Sequence, residues 1–225
     1  MKNLGRAFAF MFEDKDWIQK ILIGAAFVLL SVILVGIPLV LGYLLEVARR
    51  SAEGQEVPLP DWDNLGDKFG KGLLFFIILI IYSIPITIVS FILQLIPCIG
   101  ALLGLVVWLV FWMIVPYLAV QYARTGNFNT AFEFDKIITF VKENITNLLI
   151  VLVMSIVFSI IAQFGVLALI IGLLFTTFWA GLGTYYLYGQ LFYEAEHRAV
   201  VVETQTPAGP PPSDSAGSGD APDNQ

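Results

Sequence analysis

Residues 72–123 read GLLFFIILIIYSIPITIVSFILQLIPCIGALLGLVVWLVFWMIVPYLAVQYA, 52 positions without a charged side chain. One membrane-spanning helix uses about 20 residues, so the stretch is too long for one crossing and suits two. At its middle stands Leu95-Ile96-Pro97-Cys98-Ile99-Gly100, where proline cannot continue a helical ladder and glycine loosens it. The reading is two transmembrane helices joined by a tight turn.

The same reading extends outward. Residues 144–193 carry no charge over 50 positions, with a break at Gln163-Phe164-Gly165. An earlier apolar block, 18–47, is shorter and breaks at Gly36-Ile37-Pro38. It gives one span over 17–35 and a second over 39–50 that is short for a membrane. The expected fold is an all-α integral membrane domain over 1–202, with six transmembrane helices arranged as three helical hairpins.

Composition demands the same solvent. The 225 residues are 58% hydrophobic and 13% charged, with mean hydropathy +0.82. A soluble domain is about 45–50% apolar and about 25% charged. Lipid is needed to cover this surface, which excludes a soluble enzyme, a nucleic-acid binder and a secreted disulfide scaffold. His197 and Cys98 are the only residues of their types. No metal, cofactor or disulfide within the chain is expected.

All 12 Lys and Arg fall within 2–20, 49–71, 124–142 and at Arg198. Three hairpins place those four segments on one face, which the positive-inside rule makes cytoplasmic, together with both termini. A five-span chain would put Lys2, Arg6 and Lys15 opposite the rest. Every Asp and Glu shares that face or lies in the tail, so the outer turns are short and apolar. Residues 1–16 are charged and lack a small-residue cleavage site, so the first span reads as an uncleaved anchor in the cell membrane. Residues 203–225, ETQTPAGPPPSDSAGSGDAPDNQ, cannot bury enough apolar area to offset the entropy of ordering and read as a disordered cytoplasmic tail.

A threefold internal repeat is expected, with units of about 1–55, 56–126 and 127–202. Asn3-Leu4-Gly5-Arg6-Ala7-Phe8, Asn64-Leu65-Gly66-Asp67-Lys68-Phe69 and Asn127-Phe128-Asn129-Thr130-Ala131-Phe132 precede the three blocks, at Asn-to-Asn spacings of 61 and 63. Tyr43-Leu44, Tyr117-Leu118 and Tyr186-Leu187 recur at the block ends. Two spans per unit relate the repeats by an axis along the membrane normal. Each lead-in segment reads as an amphipathic helix lying in the interface. Leu4, Ala7, Phe8, Met11 and Phe12 form one stripe, and Ala131, Phe134, Ile137, Ile138 and Val141 another. Thr130 and Glu133 can form a capping box, and Trp17 and Trp62 are interfacial anchors.

Gly42-Tyr43-Leu44-Leu45-Glu46, Leu59-Pro60-Asp61-Trp62 and Gln121-Tyr122-Ala123-Arg124-Thr125-Gly126 with Ala131-Phe132-Glu133 carry a resemblance. The chain resembles the prokaryotic membrane proteins of domain of unknown function 4013 over most of residues 1–195. The resemblance implies a multi-span prokaryotic membrane protein and brings no activity or catalytic residue with it.

No charge sits deep in a span. Glu46 and Arg50 form an i, i+4 pair that supports a helix end. Ser83, Thr87, Ser90 and Gln94 step along one helical face, and Ser155, Ser159 and Gln163 along another; the two stripes either line a pathway or hydrogen-bond neighbouring helices. Pro85 and Pro116 free backbone carbonyls near them. Gly100-x-x-x-Gly104 is a close-packing signal, and Trp108 and Trp112 share one face. The turn from Asp61 to Asp67 lacks the position-12 carboxylate of a calcium loop, since Gly72 stands there. Asn144-Ile145-Thr146 lies on the cytoplasmic side, where glycosylation is not expected.

Three functions remain. The first is a non-enzymatic scaffold that organises lipids or a cytoplasmic or membrane partner protein at the cytoplasmic face. The second is a small permease or channel along the polar stripes. The third is a lipid-headgroup enzyme using Asp61, Asp63, Asp67, Glu133, Asp135 or His197.

Overall fold

The computed structural model describes residues 4–56, 58–96, 99–165 and 169–205. They form seven helices: α1 Arg6–Ala9, α2 Trp17–Leu30, α3 Gly36–Ala52, α4 Leu65–Gln94, α5 Gly100–Thr125, α6 Phe134–Gln163 and α7 Leu169–Gln205. Short 3-10 turns occupy Phe10–Glu13, Ser31–Ile33 and Phe128–Phe132, and there is no strand among the described residues. Helices α4, α5 and α6 are each long and apolar enough to cross a membrane, as is the α1–α2 pair if its two arms, bent by 111°, make one broken span.

The breaks follow the punctuation of the sequence. Helix α4 stops at Gln94 and α5 starts at Gly100, while α6 stops at Gln163. The first break falls five residues early. Helix α2 gives way to the turn at Ser31, Leu34 takes a left-handed φ of 66°, and Gly36 and Pro38 lie inside the first turn of α3. Proline is tolerated there because those N–H groups have no intrahelical partner. Gly36 is required by closeness, since a Cβ would stand 2.0 Å from the Phe27 carbonyl oxygen. Helices α2 and α3 are thus about 21 and 26 Å long at 1.5 Å per residue, both short of a hydrocarbon core of about 30 Å.

The packing is cyclic. Helices α3, α5 and α7 touch one another, α2 touches α3 and α7, α4 touches α5 and α3, and α6 touches α7 and α5. Tyrosines on the three inner helices each meet an aromatic ring from a lead-in segment: Tyr43 meets Trp62 at 4.1 Å, Tyr117 meets Phe140 at 5.2 Å and Tyr186 meets Phe10 at 4.4 Å. Such pairs add to the area they bury.

Three expectations for the lead-in segments are corrected. The first does not float on the surface. Ala7, Phe10 and Met11 are wholly buried in a groove between helices, whereas Gly5, Ala9 and Glu13, and Phe12 of the expected stripe, are exposed. The middle segment is not a separate helix. Helix α4 runs unbroken from Leu65 through the apolar span, because its glycines cost entropy without deleting a hydrogen bond. The third is a distinct arm: α6 kinks at Asn144, whose Nδ2 donates to the Phe140 carbonyl at 3.1 Å. No capping box forms there, since the Thr130 hydroxyl donates to the Asn127 carbonyl at 2.7 Å. Helix α7 continues through Gln205, beyond the expected start of the tail at Glu203. Residues 206–225 of that tail lie outside the described residues.

Candidate functional site

Ionic side chains from separate segments meet one another. Lys20 Nζ lies 2.7 Å from Asp14 and 2.9 Å from Asp61, and Arg6 pairs with Glu13 at 2.8 Å and donates to the Glu56 carbonyl at 2.7 Å. Glu46 accepts from Arg49 and Arg50 at 2.5 and 3.1 Å. Asp63 pairs with Lys68 and Asp67 with Lys71, both at 2.7 Å. Arg124 pairs with Glu196 and donates to the Ala52 carbonyl at 2.9 Å. A polar pocket of about 160 Å³ sits among these groups between the end of α3 and the start of α4.

This network neutralises the acids named for headgroup chemistry. Asp61, Asp63, Asp67 and Glu133 each face a lysine, the last at 2.6 Å from Lys136. The hydrogen bond and charge of Lys68 hold the Asp63 carboxyl below the usual carboxylate range, so it is a poor proton donor or acceptor near neutrality. Asp135 is exposed. His197 is exposed and its Nδ1 lies 2.7 Å from the Tyr193 carbonyl. No group of three or more His, Cys, Asp or Glu suited to a metal ion occurs among the described residues.

The lead-in motif residues do structural work. Asn3 lies outside the described residues. Phe8 stacks on Phe158 at 4.5 Å and reaches Trp179 at 5.9 Å, and Trp17 meets Phe12 edge-on at 4.8 Å. Trp62 is a half-buried keystone, stacked on Tyr43, 4.9 Å from Phe27, with its Nε1 donating to the Lys20 carbonyl at 2.8 Å. Asn64 takes a left-handed φ of 45° just before α4, and Phe69 is half-buried. Asn127 accepts from the Asn129 N–H at 3.0 Å, and Phe132 packs 5.8 Å from Tyr82, whose hydroxyl donates to the Ala131 carbonyl.

The two polar stripes are only partly assembled. Ser83, Ser155, Ser159 and Gln163 line one cleft of about 860 Å³ between the α4–α5 pair and the α6–α7 pair. Thr87 and Gln94, further along the same face of α4, are exposed and do not line the cleft. Ser90 is buried in the α4–α5 seam, its Cβ 3.9 Å from the Cβ that Gly104 would carry. The three lining serines turn to their own helices: Ser83 donates to Ile80, Ser155 to Val151 and Ser159 to Ser155, each at 2.8 Å. Most of the remaining wall is aliphatic or aromatic, and no ionised side chain lines it. This chemistry suits hydrocarbon and offers little to a hydrated ion.

The α7 wall of the cleft was not anticipated. Thr177, Thr184 and Tyr188 line it, and their spacing of seven and four puts them on one helical face. That periodicity was readable, but it is diluted by the Gly and Tyr residues that α7 uses to pack against its neighbours.

No curated protein and no solved structure matches the chain. A family model described as "Protein of unknown function (DUF4013)" matches residues 25–171, which is 147 of the 225. With well over half its length inside that match, the chain belongs to the DUF4013 family.

Proposed function

We propose that this protein is a non-enzymatic integral membrane protein of the cell membrane, built from three pseudo-repeated helical hairpins with both termini in the cytoplasm. Its role is to organise lipids, or a partner protein, at the cytoplasmic face. One observation carries the topology: charged residues of the separate basic segments are in direct contact. Lys20 reaches Asp61 at 2.9 Å, Arg6 reaches Glu56, and Arg124 reaches both Ala52 and Glu196. Groups in contact cannot lie on opposite sides of a hydrocarbon core of about 30 Å, so these contacts favour six crossings over five. The cyclic helix packing and the three tyrosine–aromatic pairs support the repeat.

Lipid organisation is favoured over transport because only Ser83 of the α4 polar stripe lines the cleft and the lining serines donate to carbonyls of their own helices. It is favoured over headgroup catalysis because four of the five candidate acids, Asp61, Asp63, Asp67 and Glu133, are held in ion pairs. The test is topology mapping in a Cys98→Ser background with single cysteines at Gln55 and Asn127. Neither position reacts with a membrane-impermeant thiol reagent in intact cells, and both react after permeabilisation. Labelling of either position from outside overturns the reading.

A further inference from the structure

The three seams that join one helical hairpin to the next, α3–α4, α2–α7 and α5–α6, are not equally closed. Between α3 and α4 the backbones touch: a Cβ on Gly42 would stand 1.9 Å from the Lys68 carbonyl oxygen, and one on Gly72 1.8 Å from that of Pro38. Between α2 and α7, Gly24 is filled by the Phe178 ring, with a Cβ position 2.1 Å from its Cε1. The corresponding seam between α5 and α6 has no such glycine contact among the described residues, and there the cleft of about 860 Å³ opens. We propose that this cleft is a binding site for the acyl chain of one membrane lipid, held as a resident ligand.

The occupant follows from the chemistry of the walls. A void of this size inside a packed bundle forfeits dispersion contacts on every side, and an apolar cavity does not fill with water. Its three lining serines, Ser83, Ser155 and Ser159, already donate to backbone carbonyls of their own helices. The cleft opens onto the apolar faces of α4 and α6, where its lining residues Ile80 and Ile156 are 41% and 47% exposed. On the membrane reading above, on which this inference rests, the medium at that opening is hydrocarbon. The α6 wall runs from Val151 to Gln163, about 18 Å at 1.5 Å per residue, a trough shaped for a single extended chain. Its volume is within the roughly 300–1,000 Å³ of sites that enclose small ligands. Buried rings of Phe111, Tyr185 and Tyr188 line its deeper part, which separates a lipid seated there from the annular shell.

The full-length protein, purified in dodecyl maltoside and washed extensively, is weighed by native mass spectrometry beside Ser155→Phe and Thr184→Phe, which fill the cleft, and Val153→Phe on the exposed face of α6. Wild type and Val153→Phe retain one lipid. The two cleft-filling variants lose it about tenfold, a change that a few lost methylene contacts produce. Equal retention in all four proteins, or none in wild type, overturns the inference. A second measurement needs no variant: a phospholipid with a diazirine at its acyl terminus, photolysed after delipidation, labels wild type within 76–83, 109–115, 151–163 or 173–188. Label confined to other segments overturns it as well. Release of the protein from membranes by alkaline carbonate would overturn the membrane reading itself; firm retention of the protein without cleft-dependent lipid overturns this inference alone.

Discussion

The guanidinium of Arg124, in the last turn of α5, bridges the carboxylate of Glu196 in α7 and the carbonyl of Ala52 at the end of α3. It also lies 5.8 Å from the centre of the Phe192 ring. One cation therefore ties the ends of all three inner helices. Exposed ion pairs contribute about 0–1 kcal/mol, whereas a charged hydrogen bond to an otherwise unfilled carbonyl contributes about 1.5–3 kcal/mol.

Arg124→Ala is accordingly expected to destabilise the protein by about 2 kcal/mol, and Glu196→Gln by under about 1 kcal/mol. Thermal unfolding in detergent measures both. Equal losses would show that the carbonyl of Ala52 contributes nothing to the joint.

Much of the architecture was legible because two signals dominate a membrane chain: absence of charge and placement of Pro and Gly. Those located the turns after Gln94 and Gln163 to within a residue or two. The first break was misplaced because the Gly36–Pro38 pair opens a helix as readily as it ends one. The burial of Ala7 and Met11, both on the expected stripe, was illegible for a different reason. An amphipathic stripe has the same periodicity whether it meets headgroups or a groove between helices, and only the partner rings decide. The cleft was half legible: Ser155, Ser159 and Gln163 share a helical face, but the opposite wall depends on how far the hairpins splay, which no local pattern encodes.

Glycine substitutions separate close packing from propensity. Gly42→Ala or Gly72→Ala forces a methyl against a backbone carbonyl at under 2 Å in α3–α4, at a cost of about 1–3 kcal/mol or more. Gly70→Ala meets nothing within 4 Å and improves helix propensity by about 0.8–1 kcal/mol. Opposite signs in the unfolding midpoint are expected. A stable Gly72→Ala protein would mean that α3 and α4 do not touch there.

Trp62 is the next target. It stacks on Tyr43, approaches Phe27 and Phe178, and donates to the Lys20 carbonyl, so Trp62→Ala should cost about 3–5 kcal/mol. Tyr43→Phe keeps the ring and loses only the 2.8 Å hydrogen bond to Pro60, at about 1 kcal/mol. An exposed interfacial anchor would give a far smaller loss at Trp62, so the ratio of the two variants decides between the two roles.

Acid should loosen the same region through Asp63. Its carboxyl is held below the ordinary range by Lys68, whereas in the unfolded chain it titrates near the usual value of about 3.9. A carboxyl with a depressed folded pKa contributes stability above its unfolded pKa and loses it as pH falls through the folded one. Asp63→Asn removes that contribution at every pH. The gap in unfolding midpoint between wild type and Asp63→Asn should therefore be steady from pH 7 to about 5, shrink below about pH 4, and close once the wild-type carboxyl is protonated. Because the group is exposed, salt should narrow the gap at neutral pH. A gap that stays constant into strong acid would show that Lys68 does not hold Asp63 in solution.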